Sequence, residues 1–206
     1  MSDLERLVDS LVNHLSSLSQ PKKAISVNVL EVGDVVLKGK RIAILAGPDY
    51  EDLELHYPYL RLMEEGADVK ILAVKKEIVK GKHGLSVEAE ISVGEAKPED
   101  FDCVVIPGGW APDRLRRFAE VLDFVKKLHR EGKVIAAICH GPQVLISAGI
   151  LKGKKVTCVS AIKDDVINAG AEYEDSPVVR DGNIITSRVP RDLPFFCREI
   201  IKALSP

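Results

Sequence analysis

At 206 residues, 46% of them hydrophobic, the chain is long enough to bury roughly 70% of its unfolded surface around one core, which excludes the miniature classes held by disulfides or zinc. Twenty-nine basic side chains against 31 acidic ones leave a formal charge of -2, with no single-sign block of the kind that marks a nucleic-acid tail or a membrane-surface patch. Cys103, Cys139, Cys158 and Cys197 form no C-x-x-C pair or zinc spacing, no apolar run approaches the roughly 18 residues of a membrane span, and the first residues lack a signal-peptide layout, so a soluble protein of the reducing cytoplasm is expected.

The chain opens with Leu4, Leu7, Val8, Leu11, Val12, Leu15 and Leu18 at three- and four-residue steps, which predicts an amphipathic helix ending before Pro21. "ISVNVLEV" and "DVVLKG" then read as two short strands. Residues 1–39 are expected to form an appendage on a main domain spanning 40–206. From Lys40 onward, short buried runs alternate with helical segments: "RIAILAG", a helix over 53–65, "ADVKILAV", "DCVVIPGG", a helix over 119–132 and "KVIAAIC". This alternation predicts a mostly parallel sheet with crossover helices. A hairpin turning near Lys82-His83-Gly84 interrupts it between 77 and 93. "KKVTCVS", a short helix closed by Gly170, a strand pair turning on Asp181-Gly182 and a final helix over 191–204 complete the domain.

In open parallel sheets, reactive groups gather outside the carboxyl ends of the strands. Three loops are placed there: 47–52, 107–113 and 139–142. In "VIAAICHGPQ" an apolar strand stops at Cys139-His140, and Pro142 suits the first turn of a helix because its missing N–H would be unpaired there anyway. Cys139 therefore sits where a nucleophile elbow would sit, with Ala137 and Gly141 as the small residues such a corner needs. A helix N-terminus lowers a thiol's pKa and supplies backbone N–H donors for an oxyanion. His140 is the nearest base, although adjacent side chains usually diverge. In "AGPDYEDLEL", Asp52 reads first as a helix cap, while Glu51 is placed to point toward Cys139. In "IPGGWAPDRLRR", Gly108 and Gly109 permit close backbone approach, and Asp113 is expected to open a short basic helix.

Some chemistries are excluded outright. No G-x-G-x-x-G or Walker loop occurs, so no cofactor is expected. A glutamine-amidotransferase triad needs a late histidine, and none follows His140. Cys103 and Cys158 fall in predicted strands and Cys197 in the last helix, as packing residues; His56 and His83 are isolated and read as surface or turn positions, and no metal site is expected.

"YEDLELHYPYLRLMEEGADV", "GKHGLSV", "VVIPGGWAPDRLR", "AAICHGPQVLISAGILKGKKVT", "IKDDVINAGAEY" and "TSRVPRDLP" together resemble the PfpI intracellular protease family of the DJ-one/ThiJ/PfpI superfamily, in unbroken order over 41–204. The resemblance implies an α/β fold, a flavodoxin-like three-layer sandwich, with Cys139 as nucleophile, His140 beside it, Glu51 hydrogen-bonding near the thiol, and the N–H groups of Gly109 and His140 as oxyanion hole. It also implies a homo-oligomer, hexameric by preference, in which an acidic residue completes a Cys-His-acid triad across the subunit interface. The matching position is Asp113, one methylene shorter than the family's glutamate. The activity expected first is thiol-dependent peptide hydrolysis. The alternatives are glyoxalase or deglycase chemistry on methylglyoxal or glycated adducts, with Glu51 or His140 moving protons, and a non-enzymatic stress protein sensing redox state through Cys139. Partners are accordingly a peptide or a small aldehyde, not a nucleic acid or a membrane.

Overall fold

The runs Ile42–Leu45, Cys103–Ile106 and Val134–Ile138 are apolar at every position and fully or almost fully buried, the pattern of strands covered on both faces rather than one. The computed structural model describes residues 35–205, and in it these runs form the centre of a seven-stranded sheet. In chain order the strands are β1 (Arg41–Leu45), β2 (Asp68–Ala73), β3 (Ile78–Lys80), β4 (Ser86–Glu88), β5 (Ile91–Ser92), β6 (Cys103–Ile106), β7 (Val134–Ile138), β8 (Lys155–Val156), β9 (Glu172–Tyr173), β10 (Val178–Asp181) and β11 (Ile184–Ser187). The main sheet runs β10-β11-β7-β6-β1-β2-β5. All its pairings are parallel except β10 with β11, a hairpin turning at Gly182.

The helices are α1 (Asp52–Glu64), α2 (Ala111–Leu115), α3 (Ala119–Arg130), α4 (Pro142–Ala148), α5 (Lys163–Asn168) and α6 (Leu193–Leu204). The crossover β1-α1-β2 moves one way along the sheet and β6-α3-β7 moves the other way. Right-handed crossovers then place α1 and α3 on opposite faces, giving three layers. Helix α1 packs with α6, whereas α3, α2 and α5 each pack against α4. The sheet is the mostly parallel one that the alternating pattern predicts, and with its helices it forms the flavodoxin-like sandwich that the resemblance implies.

Local differences from the sequence reading have simple causes. "DVVLKG" forms no strand from Val35 onward: Val36–Gly39 is a turn, in which the Leu37 N–H donates to the Glu65 carbonyl at 2.8 Å and the Leu37 side chain is buried. "ISV" at 91–93 leaves the β3–β4 hairpin to join the sheet edge beside β2. "KKVTCVS" gives only the two-residue β8, paired with β9 in a separate ribbon, so Cys158 lies beyond the strand. The helix expected to open on Asp113 begins two residues earlier, at Ala111. The predicted N-terminal helix and the strand over 25–32 lie outside the described residues. Among the described residues, no helix is long and apolar enough to cross a membrane.

Candidate functional site

Chain direction changes between β1 and β6: the chain leaves β1 toward β2 on one side and later returns to β6 on the other. Such a reversal opens a crevice at the carboxyl edge. The loops after β1, β6 and β7 converge there, and the first two are joined to each other and to the turn at Gly81 through their backbones. Tyr50 bridges both Gly81 and Gly109, the Glu51 N–H donates to the Gly108 carbonyl at 3.1 Å, and the Trp110 N–H donates to the Asp49 carbonyl at 2.9 Å.

Cys139 follows directly on β7 at φ +62°, in the left-handed region, which costs a side chain with a Cβ about 1–2 kcal/mol. Its N–H donates to the Ser187 carbonyl at 3.0 Å and its own carbonyl accepts from the Val159 N–H at 3.2 Å, so both flanks of the corner are pinned. Two glycines make room for it. A Cβ on Gly141 would lie 2.4 Å from the Ile106 carbonyl oxygen, and one on Gly108 would lie 2.7 Å from Cys139 Cβ and 2.7 Å from Glu54 Oε2. The corner read from "CHGP" is thus a strained elbow with the sulfur held over the sheet edge, half-buried.

Three groups address that sulfur. His140 Nδ1 lies 3.4 Å from Cys139 Sγ, so these adjacent side chains converge. The backbone N–H groups of His140 and Gly109 lie near enough to the sulfur to lower its pKa. The third group is a carboxyl, and it belongs to Glu54, not Glu51. Glu51 instead pairs outward, with His83 Nε2 at 3.3 Å and Lys82 Nζ at 3.4 Å. The physical reason is helical phase. Helix α1 buries Glu54, Leu55, Pro58 and Leu62 on one stripe, so the residue one turn inside the helix faces the elbow while Glu51, at its edge, faces the hairpin. Glu54 is fully buried, and its Oε2 accepts the Gly108 N–H at 2.7 Å. Its Oε1 has no partner in hydrogen-bonding geometry among the described residues. The carboxyl and the Cys139 thiol are nonetheless close enough for each to move the other's proton affinity.

Protonation follows from burial. Desolvation lifts Glu54 from 4.5 to about 8, with the Glu51 charge adding and the Gly108 N–H, Cys139 and Lys82 opposing. Glu54 is therefore mainly a neutral acid at neutral pH. Burial also pushes the Cys139 thiol up, and a charged Glu54 would push it further, while the N–H groups of His140 and Gly109 pull it down. These two groups form one coupled system. With Glu54 protonated, its opposing charge is gone and it becomes a hydrogen-bond donor to a thiolate. Burial, then the charge of Lys82, lowers the His140 pKa below 6.5, leaving a neutral imidazole.

Asp52 does not cap its helix. It is buried, and its carboxylate accepts the N–H groups of His83 and Leu85, both at 2.8 Å, fixing the turn over 81–85 against the site. Sequence spacing alone gives no sign that Lys82 and His83 stand at this rim; the hairpin brings them there. Within one chain the structure does not bring Asp113 to His140: its side chain is 63% exposed and faces Arg117 Nη2 at 3.6 Å.

A model of the DJ-1/PfpI family matches residues 40–203. Deglycase PfpI of Pyrococcus furiosus is 48% identical over 164 residues, covering 80% of this chain and 99% of the relative; an uncharacterized protein of Archaeoglobus fulgidus is 51% identical over 164 residues, 80% and 98% of the two chains. Among solved structures, a two-domain protein of Anabaena variabilis with DJ-1/ThiJ/PfpI-like and ferritin-like domains superposes with a TM-score of 0.79 at 46% identity. That match covers 80% of this chain and 48% of that one, so the chain spans about half its length. Drosophila melanogaster DJ-1beta superposes with a TM-score of 0.76 at 30% identity, over 81% and 90% of the two chains.

Proposed function

The chain belongs to the DJ-1/PfpI family, and from that premise we propose that it is a Cys139-dependent enzyme of the deglycase type, acting on adducts of α-oxoaldehydes such as methylglyoxal. The observation that carries this reading is the placement of a fully buried Glu54, whose pKa burial raises to about 8, beside the elbow cysteine. Conversion of an α-oxoaldehyde to a hydroxy acid needs a nucleophile and a proton moved between adjacent carbons. In this scheme Cys139 Sγ adds to the aldehyde carbon set free from the amine adduct, giving a hemithioacetal whose oxygen meets the N–H groups of Gly109 and His140. A proton leaves that carbon for His140 and is returned to the neighbouring carbonyl carbon through an enediol, with Glu54 shuttling the oxygen proton. The product is a thioester, which water cleaves to the hydroxy acid and the free thiol. Aldehyde plus water thus becomes hydroxy acid, with no external oxidant.

Peptide hydrolysis uses the same nucleophile and base, but a thiol-imidazole pair needs no neutral acid beneath the sulfur for it. Relatives at 48% identity are named deglycases, which supports the aldehyde reading over the peptidase one expected from the sequence. We further propose that Asp113 serves His140 of a second copy in a homo-oligomer, hexameric by preference. In support, Asp113 stands on α2 between Trp110 and Phe118, which are 63% and 39% exposed. A reducing cytoplasm fits four cysteines that are all free.

The deciding experiment presents one preparation of the full chain with methylglyoxal-modified acetylarginine and, in parallel, with a fluorogenic peptide. Release of acetylarginine and a hydroxy acid is expected, lost in Cys139→Ser and kept in Cys158→Ser. Peptide cleavage without adduct repair would overturn the reading. Mixed subunits of Asp113→Ala and Cys139→Ser are expected to regain activity that neither has alone; failure to do so removes the cross-subunit role of Asp113.

A further inference from the structure

A cavity of about 510 Å³ opens at the carboxyl edge of the sheet over β1 and β2, away from the sulfur. Its volume lies within the range of small-ligand sites. Ala46, Ala73, Val79 and Leu115, all buried, supply apolar walls, while Lys75, Arg114 and Arg117 stand around it against one carboxylate, Glu77. Neither the elbow nor Glu54 lines it, and nothing in the scheme above uses it.

We propose that this cavity is an effector site for a small organic monoanion with a flat apolar body, whose occupancy is transmitted to Cys139. The walls desolvate the body, and a single carboxylate or sulfonate head meets Arg114 together with Arg117 and Lys75. Arg117 is available because its contact with Asp113, 3.6 Å between two exposed side chains, is a loose one. A polyanion fits poorly, since Glu77 lines the same space and Asp49 and Asp113 stand behind the two arginines.

The route to the sulfur is short and continuous. Arg114 Nη2 holds Asp49 Oδ2 at 2.6 Å, and Asp49 sits at φ +60°, a left-handed conformation that its surroundings must maintain. The Asp49 carbonyl accepts the Trp110 N–H, directly beside Gly109, and this Gly108-Gly109 pair lies against Cys139, since a Cβ on Gly108 would stand 2.7 Å from Cys139 Cβ. An anion that competes for Arg114 loosens Asp49 and, with it, the Gly109 donor. The thiolate then loses stabilisation, so an occupied cavity slows reaction at Cys139.

The test uses the full chain and two probes, 1-naphthoate and its neutral isostere 1-naphthamide, with carbamidomethylation of Cys139 by iodoacetamide as the readout, independent of any substrate. Naphthoate is expected to bind saturably, one per chain, and naphthamide about tenfold more weakly, the loss of one charge-assisted contact. Lys75→Glu, an exposed substitution that leaves the fold intact, is expected to weaken naphthoate about tenfold, and saturating naphthoate to slow alkylation about fivefold, the lower end of ordinary coupling between sites. Protein already alkylated at Cys139 still binds the probe. No saturable binding at millimolar naphthoate, indifference to Lys75→Glu, loss of binding on alkylation, or an unchanged alkylation rate at saturation would each overturn the proposal. So would a Val74→Trp chain that changes its oligomeric mass, since a second copy would then occupy the cavity.

Discussion

Replacing Glu54 by Gln separates the charge of that side chain from its shape. The amide oxygen can still accept the Gly108 N–H and the volume is unchanged, but the group no longer titrates. In the native protein the Glu54 pKa stands near 8 against 4.5 for the free side chain, so folding holds a proton that the unfolded chain releases above pH 4.5. Stability from a group shifted in this direction is fully present below pH 4.5 and drains away as pH rises toward 8. Integrated between pH 5 and pH 8, the loss is about 3–4 kcal/mol for wild type and absent from Glu54→Gln. Guanidinium unfolding of both proteins at half-unit pH steps measures it, as the gap between the two stability curves. The gap should widen in favour of the variant by roughly 1.4 kcal/mol per pH unit above pH 5. Parallel curves would show that Glu54 is ionised in the native state, and the acid placed beneath the sulfur would have to be abandoned.

Three further outcomes are expected. Cys139→Gly removes a side chain from a left-handed corner and should raise stability by about 1 kcal/mol while ending all reaction at that position; thermal midpoints and alkylation by intact mass read the two effects, and a destabilised variant would remove the claim of strain. Asp52→Ala leaves the N–H groups of His83 and Leu85 unpaired, which should cost about 2–4 kcal/mol and open the 81–85 turn to limited proteolysis; protection equal to wild type would refute the clamp. Lys82→Met removes a positive charge that lowers the His140 pKa, so the acid limb of the rate-pH profile should move to higher pH, toward 6.5. A fixed limb would assign the titration to another group.

The middle of the sheet is legible because Ile42–Leu45, Cys103–Ile106 and Val134–Ile138 are apolar at every position, a signal that needs no knowledge of their neighbours. The elbow is legible for a similar reason: Cys-His-Gly-Pro after a buried run is a local pattern with a local cause. Glu54 is harder. In "EDLELHYPYLRLM" two phases compete, and Leu53, Tyr57 and Leu60 make an apolar stripe that turns out to face outward, while Glu54 shares the buried stripe with Leu55, Pro58 and Leu62. A carboxylate in phase with a buried face is the available clue, but only tertiary contact decides which stripe is inside. The rim formed by Lys82 and His83 depends on the buried carboxylate of Asp52, some thirty residues earlier, and no local pattern announces a cap across that distance.

Tyr50 shares backbone with Gly81 on one side and Gly109 on the other, so these three crossings beside the elbow form one stitched seam. Adding or deleting a residue in any of them would drag the other two out of alignment. Changes of substrate preference, natural or engineered, must then come from side-chain exchange along the seam, or from lengthening the chain elsewhere at the rim. Loop grafts that carry only one crossing into another scaffold should arrive misaligned, whereas all three moved together with the 139–142 corner should bring a working geometry.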